Sequence, residues 1–116
     1  MIWERVEAAL STLSVPFSAG HFIPDGEDLP DLFLSYFLVT APPVLHMDDD
    51  VALRNYQIQV SVYSRAGLAH LPNITGAMKA AGFMVGTPIQ LPFNPETGHY
   101  GLALEYTILL GKENEL

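Results

Sequence analysis

From Asn55 to Leu110 the chain alternates, pauses and alternates again. In Tyr56-Gln57-Ile58-Gln59-Val60-Ser61-Val62-Tyr63, extended backbone sends successive side chains to opposite sides, so Tyr56, Ile58, Val60 and Val62 share one face. Tyr100 to Leu110 repeats the pattern, aligning Tyr100, Leu102, Leu104, Tyr106, Ile108 and Leu110. Between these strands, Gly67 to Gly82 reads as a helix with Leu71, Ile74, Met78 and Ala81 inward, Pro72 being tolerated only in its first turn. Gly82 fits a left-handed helix stop from which Phe83 packs back. Such a block fixes a scaffold and carries no evident chemistry, which points toward assembly rather than catalysis.

The rest of the chain extends that scaffold. Met1 to Leu13 places Ile2, Trp3, Val6, Ala9, Leu10 and Leu13 at helical spacing, and Val15-Pro16 ends the run. Phe17 to Pro30 is rich in Gly, Pro and Asp and reads as a loop with a short strand near His21 to Ile23. Asp31 to Thr40 is nearly continuous in apolar and aromatic residues, the pattern of a strand buried on both faces. Ala41 to Asp50 reads as a loop, stopped by Pro42-Pro43 and tipped by Asp48-Asp49-Asp50, that joins two strands into a long antiparallel hairpin. Met84 to Gly98 reads as a loop, opening on a short strand and carrying Pro88, Pro92 and Pro95, and Lys112 to Leu116 as a polar tail. The expected fold is a single α+β domain over residues 1–116, a mainly antiparallel sheet with helices packed on one face.

Composition narrows the function classes. A chain of 116 residues buries roughly two thirds of its unfolded surface and folds without metal or disulfide support. Apolar residues make up 49% and charged residues only 16%, against roughly 25% in an average domain, so part of the apolar surface is expected to meet a partner. No apolar run reaches the roughly 18 residues of a membrane span, and Met1-Ile2-Trp3-Glu4-Arg5 lacks the features of a signal peptide, so the expectation is a soluble intracellular chain without membrane partners. With no cysteine, thiol catalysis and thiolate metal sites are excluded. The net charge is −8, and the five basic residues, Arg5, Arg54, Arg65, Lys79 and Lys112, are scattered, which argues against sequence-specific nucleic-acid binding.

Candidate chemistry is thin. His21, His46, His70 and His99 stand in or beside loops, none within helical reach of another, and read as solvated surface residues. His46-Met47-Asp48-Asp49-Asp50 lacks the alternating oxygens, central glycine and distal Glu of a calcium loop, and reads as a solvated tip. No Gly-x-Ser-x-Gly elbow surrounds a serine, and no glycine pattern cradles phosphate. Asp25, Glu27 and Asp28 read as solubilising, and Glu105 as facing solvent or an interface. Trp3, Phe33, Tyr36, Phe37, Tyr56, Phe83, Tyr100 and Tyr106 fall at core spacing. Tyr63 and Leu109 lie on the opposite strand faces from their apolar neighbours, the signature of a sheet that meets another subunit. The expectation is therefore no catalytic, cofactor or metal site, and an interaction surface formed by His46, Met47, Asp48, Asp49, Asp50, Tyr63 and Leu109.

Tyr56-Gln57-Ile58-Gln59-Val60-Ser61-Val62-Tyr63-Ser64-Arg65, the helix to Ala81-Gly82-Phe83, the loop Pro95-Glu96-Thr97-Gly98 and the strand Tyr100 to Ile108 together resemble the tail-completion and tail-terminator (head-tail joining) proteins of tailed bacteriophages. The resemblance implies a virion structural protein of the tail or neck, assembled in host cytoplasm as a ring, commonly a hexamer, that caps the tail tube and joins it to the head connector. Its partners would be itself, the tube protein and the connector proteins, with no enzyme activity and no cofactor. A hexamer would carry roughly −48, a channel wall that repels DNA phosphates. Phe17 to Pro30 and the acidic tip match the family least. Other classes are a small α+β enzyme or ligand-binding module with a pocket between helices and sheet, and an adaptor of a secretion or contractile assembly.

Overall fold

A computed structural model describes residues 2–20, 30–47 and 50–111, with residues 45–47 and 50–52 described in their backbone only. Element order is α1 (Ile2–Ser11), β1 (Phe17–Ala19), β2 (Leu32–Thr40), β3 (Pro43–Met47), β4 (Asp50–Ser64), α2 (Ile74–Ala80), β5 (Met84–Val85), β6 (Ile89–Asn94) and β7 (His99–Gly111). The fold is α+β and mostly sheet: seven strands run in the order β1-β2-β4-β7-β5, with β3 added to β4 and β6 to β7. Every pairing is antiparallel except β1 with β2, so the sheet is mixed.

The three strands expected from sequence form the centre. β4 pairs with β2 from Leu32↔Ser64 to Thr40↔Gln57, interrupted by a bulge at Val39, and with β7 from Leu53↔Gly111 to Ser64↔Tyr100. At about 3.3 Å per residue, 15-residue β4 is about 50 Å long, the full 52 Å length of a molecule only 27 × 23 Å across.

Both helices lie on one face of this sheet. Ile2, Val6, Ala9 and Leu10 of α1, Ile74 and Met78 of α2, and Phe83 pack onto Leu34, Tyr36, Tyr56, Ile58, Val60, Val62, Tyr106, Ile108 and Leu110. Tyr36 knits the layers together: its hydroxyl donates to Glu7 of α1, and its ring meets Trp3 at 6.0 Å and Phe17 at 6.3 Å. Arg5 Nη1 donates to Ala81 O at 3.2 Å, so a cation from α1 sits where the C-terminal carbonyls of α2 need donors.

Several expectations need correction. The helix expected from Gly67 begins only at Ile74, because Pro72 restricts Leu71 and Asn73 serves as N-cap, its Oδ1 accepting from Gly76 N at 3.0 Å. Its C-terminus is as expected: Gly82 has φ +97°, Gly82 N donates to Lys79 O at 3.0 Å, and Phe83 N to Met78 O at 3.0 Å. The segment Ala41 to Asp50 is not a loop. Pro43 opens β3, a place where a missing N–H is tolerated, and β3 pairs back on β4 down to Met47↔Asp50. Met84 to Gly98 opens on the expected short strand, β5, but also holds a second, β6, and both pair with the long edge of β7. The short early strand lies at Phe17–Ala19; His21 to Ile23 fall outside the described residues, as do Lys112 to Leu116.

Candidate functional site

Among the described residues, the sheet's second face carries no helix. Parity sends Phe33, Ser35 and Phe37 of β2, Gln59, Ser61 and Tyr63 of β4, and Gly101, Ala103, Glu105 and Leu109 of β7 to this side. The register stacks them in rows across the strands. One row is small: Ser18, Ser35, Ser61 and Ala103 stand in line. The rows on either side are large, Phe33 with Tyr63 and Phe37 with Gln59. Two residues along β2 separate the small row from each large row, so the flanking rows lie about 14 Å apart, backbone to backbone.

A trough results, floored by hydroxyls and walled by rings, with a cavity of about 590 Å³. Leu91 and Pro92 of β6 close one end. Gly101 makes that closure possible, since a Cβ there would stand 3.0 Å from Leu91 Cβ and 3.2 Å from Tyr63 Cε1. Phe33 stacks on Tyr63 at 5.0 Å and meets the His99 ring edge-on at 5.1 Å. Although they face away from the helices, Phe33, Ser35, Ser61 and His99 are all buried.

Arg65 ties down the neighbouring chain. Its Nε donates to Thr97 O at 2.8 Å, its Nη1 pairs with Asp31 Oδ1 at 2.8 Å, and its backbone N donates to Asp31 O at 2.9 Å. Asp31 is largely exposed, so the ion pair itself contributes little; the backbone contacts fix the geometry. They hold Pro30 over His99, whose Nε2 lies 2.8 Å from Pro30 O. Because a carbonyl only accepts, Nε2 is the donor and the ring's other nitrogen is left as an acceptor.

Three sequence readings change here. His99, expected at the surface, is 2% exposed, because it opens β7 rather than ending a loop. Phe37 and Tyr100, expected in the core, are 42% and 40% exposed: Phe37 faces the helix-free side, and Tyr100 lies at the start of β7 and packs on Phe93 at 4.6 Å. Phe33 is buried, but on the open face. Any pocket between helices and sheet would have to displace the core cluster; the cavity described here is on the other side.

The expected interaction residues separate into two places. Tyr63 lines the trough, whereas Leu109, on the same face, stands eight register positions away along β7, about 27 Å, and is 51% exposed. Leu109 lies toward the β3–β4 hairpin, whose backbone carries His46 opposite Val51 and Met47 opposite Asp50. Asp48 and Asp49 are outside the described residues, as are the side chains of His46, Met47 and Asp50. Among the described residues no three His, Asp or Glu side chains gather as for a metal, and no helix is long and apolar enough to cross a membrane. The trough was missed in the sequence. Its one signal was the run of small residues, Ser35, Ser61, Gly101 and Ala103, at outward positions of strands whose neighbours are large.

Two phenols on the helix side are shifted. Burial, reinforced by the hydrogen bond to Glu7 and its charge, pushes Tyr36 well above the ordinary tyrosine value. Burial also raises Tyr106, against a smaller lowering by its 2.9 Å hydrogen bond with Thr75. Both serve packing.

The sequence matches no protein-family model and no curated protein.

Proposed function

We propose that the protein is a virion structural component of the tail-terminator or tail-completion type, acting as a ring that joins the tail tube to the head connector. The observation that supports this reading is the mismatch between sheet and helices. Helices of 10 and 7 residues are about 15 and 10 Å long and cannot cover a sheet of about 50 Å. Large apolar side chains are left in water along its length, among them Val44 at 52%, Leu109 at 51% and Met84 at 62% exposure. Apolar exposure along so long a sheet supports a surface that another protein covers. Strand edges add to it: beyond β5, the Ile108 to Gly111 stretch of β7 is paired on one side only among the described residues.

In this reading the β3–β4 hairpin and the Leu109 end of the sheet form the ring contacts, with tube and connector proteins above and below. Light scattering after size exclusion, with negative-stain imaging, tests it. The expected result is a closed ring of fixed copy number, alone or with tube protein. A chain that stays monomeric when concentrated and when mixed with tube protein overturns it.

A further inference from the structure

The trough on the helix-free face has features that subunit contact alone does not require. Its described lining holds no Asp, Glu, Lys or Arg, and consists of aromatic rings, neutral hydrogen-bonding side chains, and Gly20, Leu91 and Pro92. A charged ligand would lose its hydration there with no opposite charge in the described lining to replace it. Ser35 and Ser61, directly opposite each other, form a flat floor, and Phe33, Tyr63 and Phe37 stand beside it. A planar ring laid on that floor meets other rings edge-on or offset, the arrangements aromatic pairs prefer. Its cavity of about 590 Å³ falls within the range of small-ligand pockets.

A second observation sets the polarity of the occupant. His99 Nδ1, in a ring that lines the cavity, is buried and has no hydrogen-bond partner among the described residues. With Nε2 donating to Pro30 O, Nδ1 of the neutral ring is an acceptor lacking a donor among the described residues. Buried polar atoms are nearly always paired, so an orphaned acceptor beside an open cavity marks the place of a missing donor. Nδ1 is shielded from water, so entry of the donor requires movement in the packing around His99, which includes the Phe33 ring.

We propose that this trough binds an uncharged aromatic ring carrying a hydrogen-bond donor. The proposal does not depend on ring assembly, and binding by a monomeric chain would leave it intact.

The test is a titration of the ¹⁵N-labelled full chain with two probes, followed by NMR. p-Cresol presents the ring and donor alone, and N-acetyl-L-tyrosinamide presents them with flanking amides. Saturable shifts of the Ser35 and Ser61 amides and of His99 Nδ1, with a dissociation constant below about 1 mM, are expected for at least one probe. Toluene, which lacks the donor, and 4-hydroxyphenylacetate, which adds a charge, should bind at least about tenfold more weakly. Ser61→Leu fills the floor and should weaken binding about tenfold or more; Phe37→Ser, at an exposed wall position, should also weaken it and guards against a folding failure of the first variant. Tighter binding of the amide assigns the site to a ring borne by a polypeptide, and equal or tighter binding of p-cresol to a free small molecule. No saturable shift with either probe, equal binding of toluene or the charged probe, or unchanged binding in a folded variant overturns the proposal.

Discussion

The two faces of the sheet are made by the same strands and read from alternate residues, yet they do different things. On the helix side Leu34, Ile58, Val60, Val62 and Tyr106 are sealed beneath α1 and α2. One residue along, Phe33, Ser35, Phe37, Ser61 and Tyr63 build a trough with a cavity in it. A packed face holds the fold with many small contacts and tolerates little change. An open face with cavities and exposed rings adds less to stability, and so is available for binding. Side-chain parity, rather than a domain boundary or a loop, separates the sealed core from the open trough.

The largest effect that could break this division comes from the sealed face. Leu34→Ala removes a fully buried side chain and should cost about 2–5 kcal/mol in urea denaturation. A loss below about 1 kcal/mol would show that the helix side is no better packed than the open one. Gly101→Val tests the opposite side. Its new side chain meets Leu91 and Tyr63, so it should cost about 1–3 kcal/mol and shift the Tyr63 ring resonances. Unchanged Tyr63 signals would mean that the wall of the trough does not rest on that glycine.

The smallest effect sharpens the comparison through pH. Tyr36 and Tyr106 both titrate above the ordinary tyrosine value when folded, so the unfolded chain loses those protons first. Their contribution is fully present below about pH 10 and is lost as pH rises from there toward the folded values. Tyr36→Phe should cost about 1 kcal/mol at neutral pH through the lost Glu7 hydrogen bond. It should also make the decline above about pH 10 shallower, with Tyr106 accounting for part of the remainder. Urea midpoints measured from about pH 8 to about pH 11 would check both; an unaltered slope would mean that Tyr36 is not coupled to folding.

Alternation made the central strands legible in the sequence, because Tyr56 to Val62 and Tyr100 to Leu110 repeat with period two over enough residues to favour strands over a helix. The Gly82-Phe83 stop was legible for a local reason, the left-handed φ that glycine takes without strain. The short strands β3 and β6 were not, since each exists only because another strand offers an edge: β4 for Pro43–Met47, β7 for Ile89–Asn94. Pro43, Pro88 and Pro92 all point to loops when read locally. The trough was hidden for a related reason. Ser35 and Ser61 are 26 positions apart in sequence and become neighbours only through register, and His99 is buried at the start of β7 by partners distant in sequence, Phe33 beside its ring and Pro30 over it.

The 15-residue strand β4 has a consequence for how the molecule folds. β2, β3 and β7 each hydrogen-bond to it, while β1 joins the sheet through β2. β3 and the end of β2 are close to β4 in sequence, whereas closing the β4–β7 ladder from Ser64↔Tyr100 requires the intervening 35 residues to be looped out first. Loop closure comes before the contacts that reward it, so the nearby β3–β4 and β2–β4 pairings are the early events and β7 docks late. Until it docks, one whole edge of β4 stands open. A newly made chain is therefore most prone to wrong strand partners in the interval between completing β4 and completing β7.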